Sequence, residues 1–384
     1  MDRLTAETPK HRVVWDPLVR VFHWLLVASV LGSLWTGFLG GFTMFDLHIW
    51  LGCAVTALIV VRVVWGFTGT THARFRDFVA SPLAILRYVR DLLGGRAPAH
   101  AGHNPLGGLM ILGLLLMLAA LVGSGVVGLG GVAKEGPLAP WSTYAFGTTA
   151  AGLHRLLGFL LLGMIALHIA GVLLESLRTS ENLVRAMITG RKRRALHAEA
   201  RAEIEAAGDT RKSRPALAAG IVMAMAAVAM PLIVTASRLP PQGVPSSPLP
   251  EVYVKECGAC HSVHHPSLAP VATWRKLMAA LDDHFGETAT LAPEITAGIE
   301  ALLVNNAAER FDTAAANRLA APSRSEPLRI TATDGWRQIH SGIAETVFMT
   351  KAVAGRANCG NCHGDALTGL FSRRAIRIPS DSLP

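Results

Sequence analysis

Residues 153–175 read LHRLLGFLLLGMIALHIAGVLLE. A run this long and apolar matches the roughly 20 residues that cross a bilayer, yet it carries two imidazoles, His154 and His168. Ionisable groups at membrane depth are costly and mark functional positions. Fourteen residues of helix rise about 21 Å and return to within about 40° of the same face. One side of one helix therefore presents an imidazole toward each leaflet.

Four further apolar runs, about 22–42, 48–67, 107–128 and 216–236, bring the expected spans to five. The whole chain of 384 residues is 51% hydrophobic and only 16% charged, outside the range of an ordinary soluble protein. Its net charge of +9 is unevenly placed: 23 Lys/Arg against 13 Asp/Glu precede Glu251, and from Glu251 on there are 13 against 14. The excess basicity thus belongs to the membrane half. It reflects positive loops on the cytoplasmic side rather than nucleic-acid binding. Those loops contain Lys10, Arg12 and Arg20, then Arg74 to Arg96, then Arg178, Arg185 and Arg191 to Arg194. The connections 43–47 and 129–152 face outward, the N-terminus is cytoplasmic, and the fifth span leads out to the periplasm of a bacterial inner membrane. No cleavable signal peptide is evident, since the first span starts late and lacks a small-residue cleavage pattern. Trp15, Trp24, Trp50, Trp65 and Trp141 lie where an interfacial aromatic belt is expected.

With that topology His23, opening the first span, lies level with His168, and His48, opening the second, lies level with His154. A neutral imidazole on each face of a haem iron gives a six-coordinate, low-spin centre suited to single-electron transfer. The pairs His23/His168 and His48/His154 predict two non-covalent, bis-His b haems. Arg62 follows His48 by fourteen residues, on nearly the same face. Two readings stay open for it: pairing with a haem propionate, or snorkelling to the cytoplasmic surface. His72 and His103, in the basic loop, read as surface or quinone-side groups.

Beyond the spans stand Cys257-Gly-Ala-Cys260-His261 and Cys359-Gly-Asn-Cys362-His363. Two thiols at this spacing can each form a thioether to one vinyl group of the same porphyrin, and the adjacent imidazole reaches the iron. A zinc site would want further thiols or histidines. Two covalent c haems are expected, on the outer side of the membrane where such attachment takes place. The fifth cysteine, Cys53, reads as a small buried hydrophobe. Each c haem needs a distal ligand. His264 and His265 are too close to His261, which leaves His284 and His340, assigned to the first and second haem by chain order with an exchange left open. Met278 and Met349 read as core residues in apolar helical runs.

Val14-Trp15-Asp16-Pro17-Leu18-Val19-Arg20-Val21-Phe22-His23-Trp24, Asp46-Leu47-His48-Ile49-Trp50, Gly102-His103-Asn104-Pro105 and the His154/His168 helix resemble the bacterial cytochrome b561 family, including nickel–iron hydrogenase b-type subunits. The resemblance implies a four-helix bundle with the same four histidine ligands, and exchange with quinone. Both c-type motifs, with Trp274 to Met278 and Asp283 to Glu287, resemble the dihaem cytochrome c family. Some members of that family serve a small oxygen-binding monohaem cytochrome. A soluble member would start with a signal peptide, whereas here the fifth span delivers and anchors the domain.

The expected fold is mainly α. A membrane four-helix bundle occupies 1–180, a basic cytoplasmic helix 181–214, the fifth span 215–237 and a Pro-rich linker 238–250. A small, mostly helical dihaem domain fills 251–384. The expected role is an electron carrier, or quinol:cytochrome c-type oxidoreductase, between the quinone pool and a soluble periplasmic redox protein. Two rivals are a quinone-linked enzyme acting on superoxide, oxygen or ferric iron, and a haem-based redox or gas sensor.

Overall fold

The computed structural model describes residues 11–41, 43–100, 102–193 and 213–379. Among them five helices are long and apolar enough to cross a membrane: Pro17–Phe38, Phe45–Thr68, Pro105–Ala133, Tyr144–Thr179 and Pro215–Arg238. The first begins earlier than hydropathy suggests because Asp16 caps it, accepting from the Val19 N–H at 2.9 Å, with Pro17 at the first helical position. The same carboxylate accepts from Trp65 Nε1 (3.1 Å) and the Thr70 hydroxyl (2.7 Å), tying the first two spans together. The fourth helix runs for 36 residues and starts at Tyr144, so His154 lies well inside it rather than at its entrance.

Two compact units divide the chain: Met1–Ser124 with Leu153–Leu232, and Gly125–Gly152 with Ile233–Pro384. In the first, Val30, Val55, Leu118 and Leu161, one from each of the first four spans, form a buried core with Leu34, Ile59 and Ile165 packed against it. Trp15 and Trp65 are buried (7% and 5% exposed) and belong to packed clusters, so they are not belt residues; Trp50 and Trp141 are exposed as a belt requires. Cys53 is also exposed, on the outside of its helix, and not a core hydrophobe.

After the fourth span, the described part of the expected basic helix is a short helix, Leu183–Thr189, and a strand, Arg191–Arg193. Gly190 stops the helix at φ 77°, where a side chain would be strained, and its carbonyl accepts from Val14 and Trp15. The strand pairs antiparallel with His11–Val13, Arg12 opposite Lys192. Residues 194–212 of that expected helix lie outside the described residues.

The second unit has two adjoining cores. Tyr253, Trp274, Met278, Ile299 and Leu303 form one; Leu268, Leu319, Trp336, Val347, Phe348 and Val353 form the other. Met278 is thus a packing residue, but Met349 is 76% exposed, just past the short helix Glu345–Phe348. His265 stitches this unit: its Nδ1 accepts from the Ser267 N–H (3.1 Å) and lies 2.8 Å from the Ser267 hydroxyl, capping the turn Pro266–Leu268. A Cβ at Gly369 would meet its ring at 2.5 Å, so that position, at φ 70°, admits only glycine.

Candidate functional site

Histidines that the chain separates widely are brought together in pairs. In the membrane unit the rings of His48 and His154 lie 5.9 Å apart between centroids. His23 lies in the first span and His168 in the fourth. In the second unit His261 faces His284 at 6.4 Å, and His340 faces His363 at 6.2 Å. An imidazole nitrogen binds a transition metal at about 2 Å and its ring centre lies about 1 Å further back, so two imidazoles on opposite sides of one iron stand about 6 Å apart. The three measured separations have that size.

Hydrogen bonding sets the tautomer of several of these rings. A carbonyl only accepts, so a ring nitrogen bonded to one carries the proton and leaves the other nitrogen's lone pair for a metal. His48 Nδ1 donates to the Ser33 carbonyl (3.1 Å), and His154 Nδ1 to that of Leu121 (2.9 Å). His261 Nδ1 donates to the Ser262 carbonyl (2.8 Å), and His340 Nδ1 to that of Trp336 (2.9 Å). In all four cases Nε2 is the nitrogen left to ligate. Gly37 admits the His48 ring to the first span's backbone, since a Cβ there would stand 3.1 Å from it. Among the described residues the Nδ1 atoms of His23 and His363 are buried without a partner.

Among the described residues no disulfide joins the four motif cysteines. Burial pushes Cys257 and Cys359 up to about 11 and Cys362 upward as well, so these thiols are protonated at neutral pH. The two motifs adjoin. Ser262, after the first, gives its N–H to Asn358 Oδ1, just before the second, at 2.9 Å, and a Cβ on Gly360 would lie 3.3 Å from Ser262 Oγ. Nothing in the spacing of the motifs announces this proximity.

Arg62 is 4% exposed, so it does not snorkel. It donates to the Ala73 carbonyl (3.1 Å) and lies against the faces of Phe75 (5.1 Å) and Phe78 (5.7 Å). His103 lies 5.1 Å from Phe78 and 4.5 Å from Trp15. Of the two readings given for it, surface or quinone-side, its burial excludes the first. Burial, chiefly, with Lys192 and Arg62 beside it, pushes its imidazole down to about 3, so it stays neutral. His264 packs 4.8 Å from His261 and is held down to about 4, again first by burial.

The family model described as prokaryotic cytochrome b561 matches residues 14–190, and that described as dihaem cytochrome c matches residues 253–371. A probable Ni/Fe-hydrogenase B-type cytochrome subunit of Rhizobium leguminosarum bv. viciae is 25% identical over 212 aligned residues, covering 47% of this chain and 87% of that protein. Among solved structures, a dihaem cytochrome c of Shewanella baltica is 31% identical, covering 34% of this chain and 96% of its own, with a TM-score of 0.28. A dihaem cytochrome c of Rhodobacter sphaeroides is 33% identical, covering 32% and 96%, with a TM-score of 0.25.

Proposed function

Because the chain belongs to the prokaryotic cytochrome b561 family through residues 14–190 and to the dihaem cytochrome c family through residues 253–371, we propose that it passes electrons between membrane quinone and a soluble periplasmic redox protein. The observation that carries this is the set of paired imidazoles at about 6 Å, the spacing of two axial ligands on one iron. His23 with His168, and His48 with His154, would hold two haems b. His261 with His284, and His363 with His340, would hold two haems c bound through Cys257, Cys260, Cys359 and Cys362. Bound there, haem supplies one-electron iron centres without an open coordination position.

The protein's own groups orient and tune. Carbonyls of Ser33, Leu121, Ser262 and Trp336 take the Nδ1 protons of four imidazoles, fixing ring rotation and raising the basicity of the ligating nitrogens. Arg62 supplies a buried positive charge on the His23/His168 side, suited to a haem propionate. Basic loops retained on the cytoplasmic side set the orientation in the bacterial inner membrane, with the C-terminal domain periplasmic. With His284 and His340 as distal ligands, neither c haem would keep an open position for a gas, which disfavours a sensing role. A small oxygen-binding monohaem cytochrome is one acceptor of suitable chemistry.

Adding a quinol to the purified holoprotein and following the b and c absorption bands tests this reading. Both sets are expected to become reduced. If the c bands stay oxidised with quinol while dithionite reduces them, quinol-to-acceptor transfer is refuted.

A further inference from the structure

With the Pro-rich stretch 238–250 as its sole attachment, the c domain would be free to pivot about the end of the fifth span. Contacts within the second unit say otherwise. Lys134, in the connection between the third and fourth spans, has a side chain with 0% exposure, and its Nζ lies 2.7 Å from Asp312 Oδ2 and 3.1 Å from the Ser142 carbonyl. The same Asp312 oxygen accepts the Tyr144 N–H at 2.7 Å. Tyr144 is the first residue of the helix that carries His154 and His168. An acidic group from far along the chain thus satisfies an N–H at the start of that helix, where the helix dipole favours negative charge.

Further bonds surround the pair. Arg318 Nε donates to the Tyr144 hydroxyl (2.8 Å), and Arg374 pairs with Glu135 (3.0 Å). The linker takes part too: the Gln242 N–H donates to the Ala139 carbonyl (3.0 Å), and the Asp312 N–H to the Gly243 carbonyl (2.8 Å). Gly243 sits at φ 68°, and a Cβ there would lie 2.4 Å from that of Asp312, so this approach requires glycine. Lone surface ion pairs hold little together. This pair differs at its lysine end, which is 0% exposed while Asp312 is 29% exposed, because parting it leaves a buried lysine without its counterion.

We propose that Asp312 and Lys134 form a clasp that holds the C-terminal haem domain to the connection leading into the His154/His168 helix, so that the domain works docked and does not shuttle on its linker. The functional consequence rests on the electron-transfer reading above; the clasp itself does not. A docked domain keeps a fixed path for electrons and requires the soluble partner to come to it, while a swinging one would trade speed for reach.

The test uses the full-length holoprotein in membranes, with a site-specific protease sequence inserted between Ser246 and Ser247, in the exposed part of the linker. After complete cleavage and sedimentation, the wild-type C-terminal domain is expected to stay with the membrane pellet. Asp312→Asn should release about tenfold more of it. Unchanged c-type absorption shows that this variant has folded. Should it not fold, Lys134→Met, which lies outside the haem domain, gives the same readout. Release of the wild-type domain on cutting, or equal retention in the variants, overturns the clasp. Uncut membranes in which quinol reduces b haems and never c haems would refute the electron-transfer reading and leave the sedimentation result standing.

Discussion

Replacing His284 and His340 separately by alanine tests the ligand pairs and the local packing at once. In each variant one imidazole opposite a Cys-x-x-Cys-His histidine is removed, and the iron would gain an open position. The reduced wild-type protein is expected to leave carbon monoxide unbound at the c haems; each single variant should bind about one equivalent and the double variant about two. The two variants should differ in stability. His340 stacks on Trp336 (4.3 Å, 23°) and donates to its carbonyl at 2.9 Å. An aromatic stack contributes about 1 kcal/mol and a hydrogen bond about 1 kcal/mol, so His340→Ala loses about 2 kcal/mol of packing. His284 is half-buried and touches Phe285 edge-on at 4.9 Å, on a ring itself 49% exposed, so it loses less than about 1 kcal/mol. The lost iron bond is common to both and cancels in the comparison. At about 4 °C per kcal/mol for a domain of this size, His340→Ala should unfold about 4–8 °C below His284→Ala. Carbon monoxide binding by the reduced wild-type c haems, or none by either variant, would refute the pairing. Equal melting temperatures would refute the packing argument.

Other outcomes follow from single contacts. Burial holds His265 down to about 4, below its unfolded value of about 6.5. The unfolded chain therefore binds the extra proton between those values, and stability that is complete above pH 6.5 falls toward pH 4 by up to about 3 kcal/mol; His265→Asn, which keeps a capping acceptor, should flatten that part of a melting-temperature-against-pH curve. Asp16→Ala removes a helix cap and two further bonds, so about 3 kcal/mol is expected to be lost; a b-type absorption that survives heating as in wild type would contradict this. Arg62→Gln removes a buried cation that favours the reduced, less positive iron, and should lower the midpoint potential of one b haem by some tens of mV in a redox titration while leaving the c haems unmoved.

The membrane histidines could be found by counting because helical periodicity ties sequence separation to depth and face. Where the helices begin was harder to see. Residues 144–152, Tyr-Ala-Phe-Gly-Thr-Thr-Ala-Ala-Gly, are too weakly apolar to register as a span, yet they are the opening turns of the longest helix. The N–H of Tyr144 at its start is satisfied by Asp312, a partner that no local window contains. Trp15, Trp65 and His103 were misplaced for a related reason. An indole or imidazole near a span end reads as interfacial, and only tertiary contacts with Asp16, Phe78 and Lys192 bury these three. Met349 erred the other way: a short apolar run suggested a core helix, and the helix stops at Phe348.

Tertiary placement also changes what the two cysteine motifs mean. About a hundred residues separate them, and read along the chain they suggest two independent sites in series. The Ser262–Asn358 bond and the close approach at Gly360 make them neighbours instead. Each motif's backbone thus helps to position the other, so a substitution at Asn358 is expected to disturb the first site as well as the second. Loss of the hydrogen bond to the Ser262 N–H in Asn358→Ala frees the residue whose carbonyl receives the His261 Nδ1 proton. A second-sphere change of this kind alters ligand basicity. It should therefore appear as a shift in the potential of the first c haem, whose own motif the substitution leaves untouched.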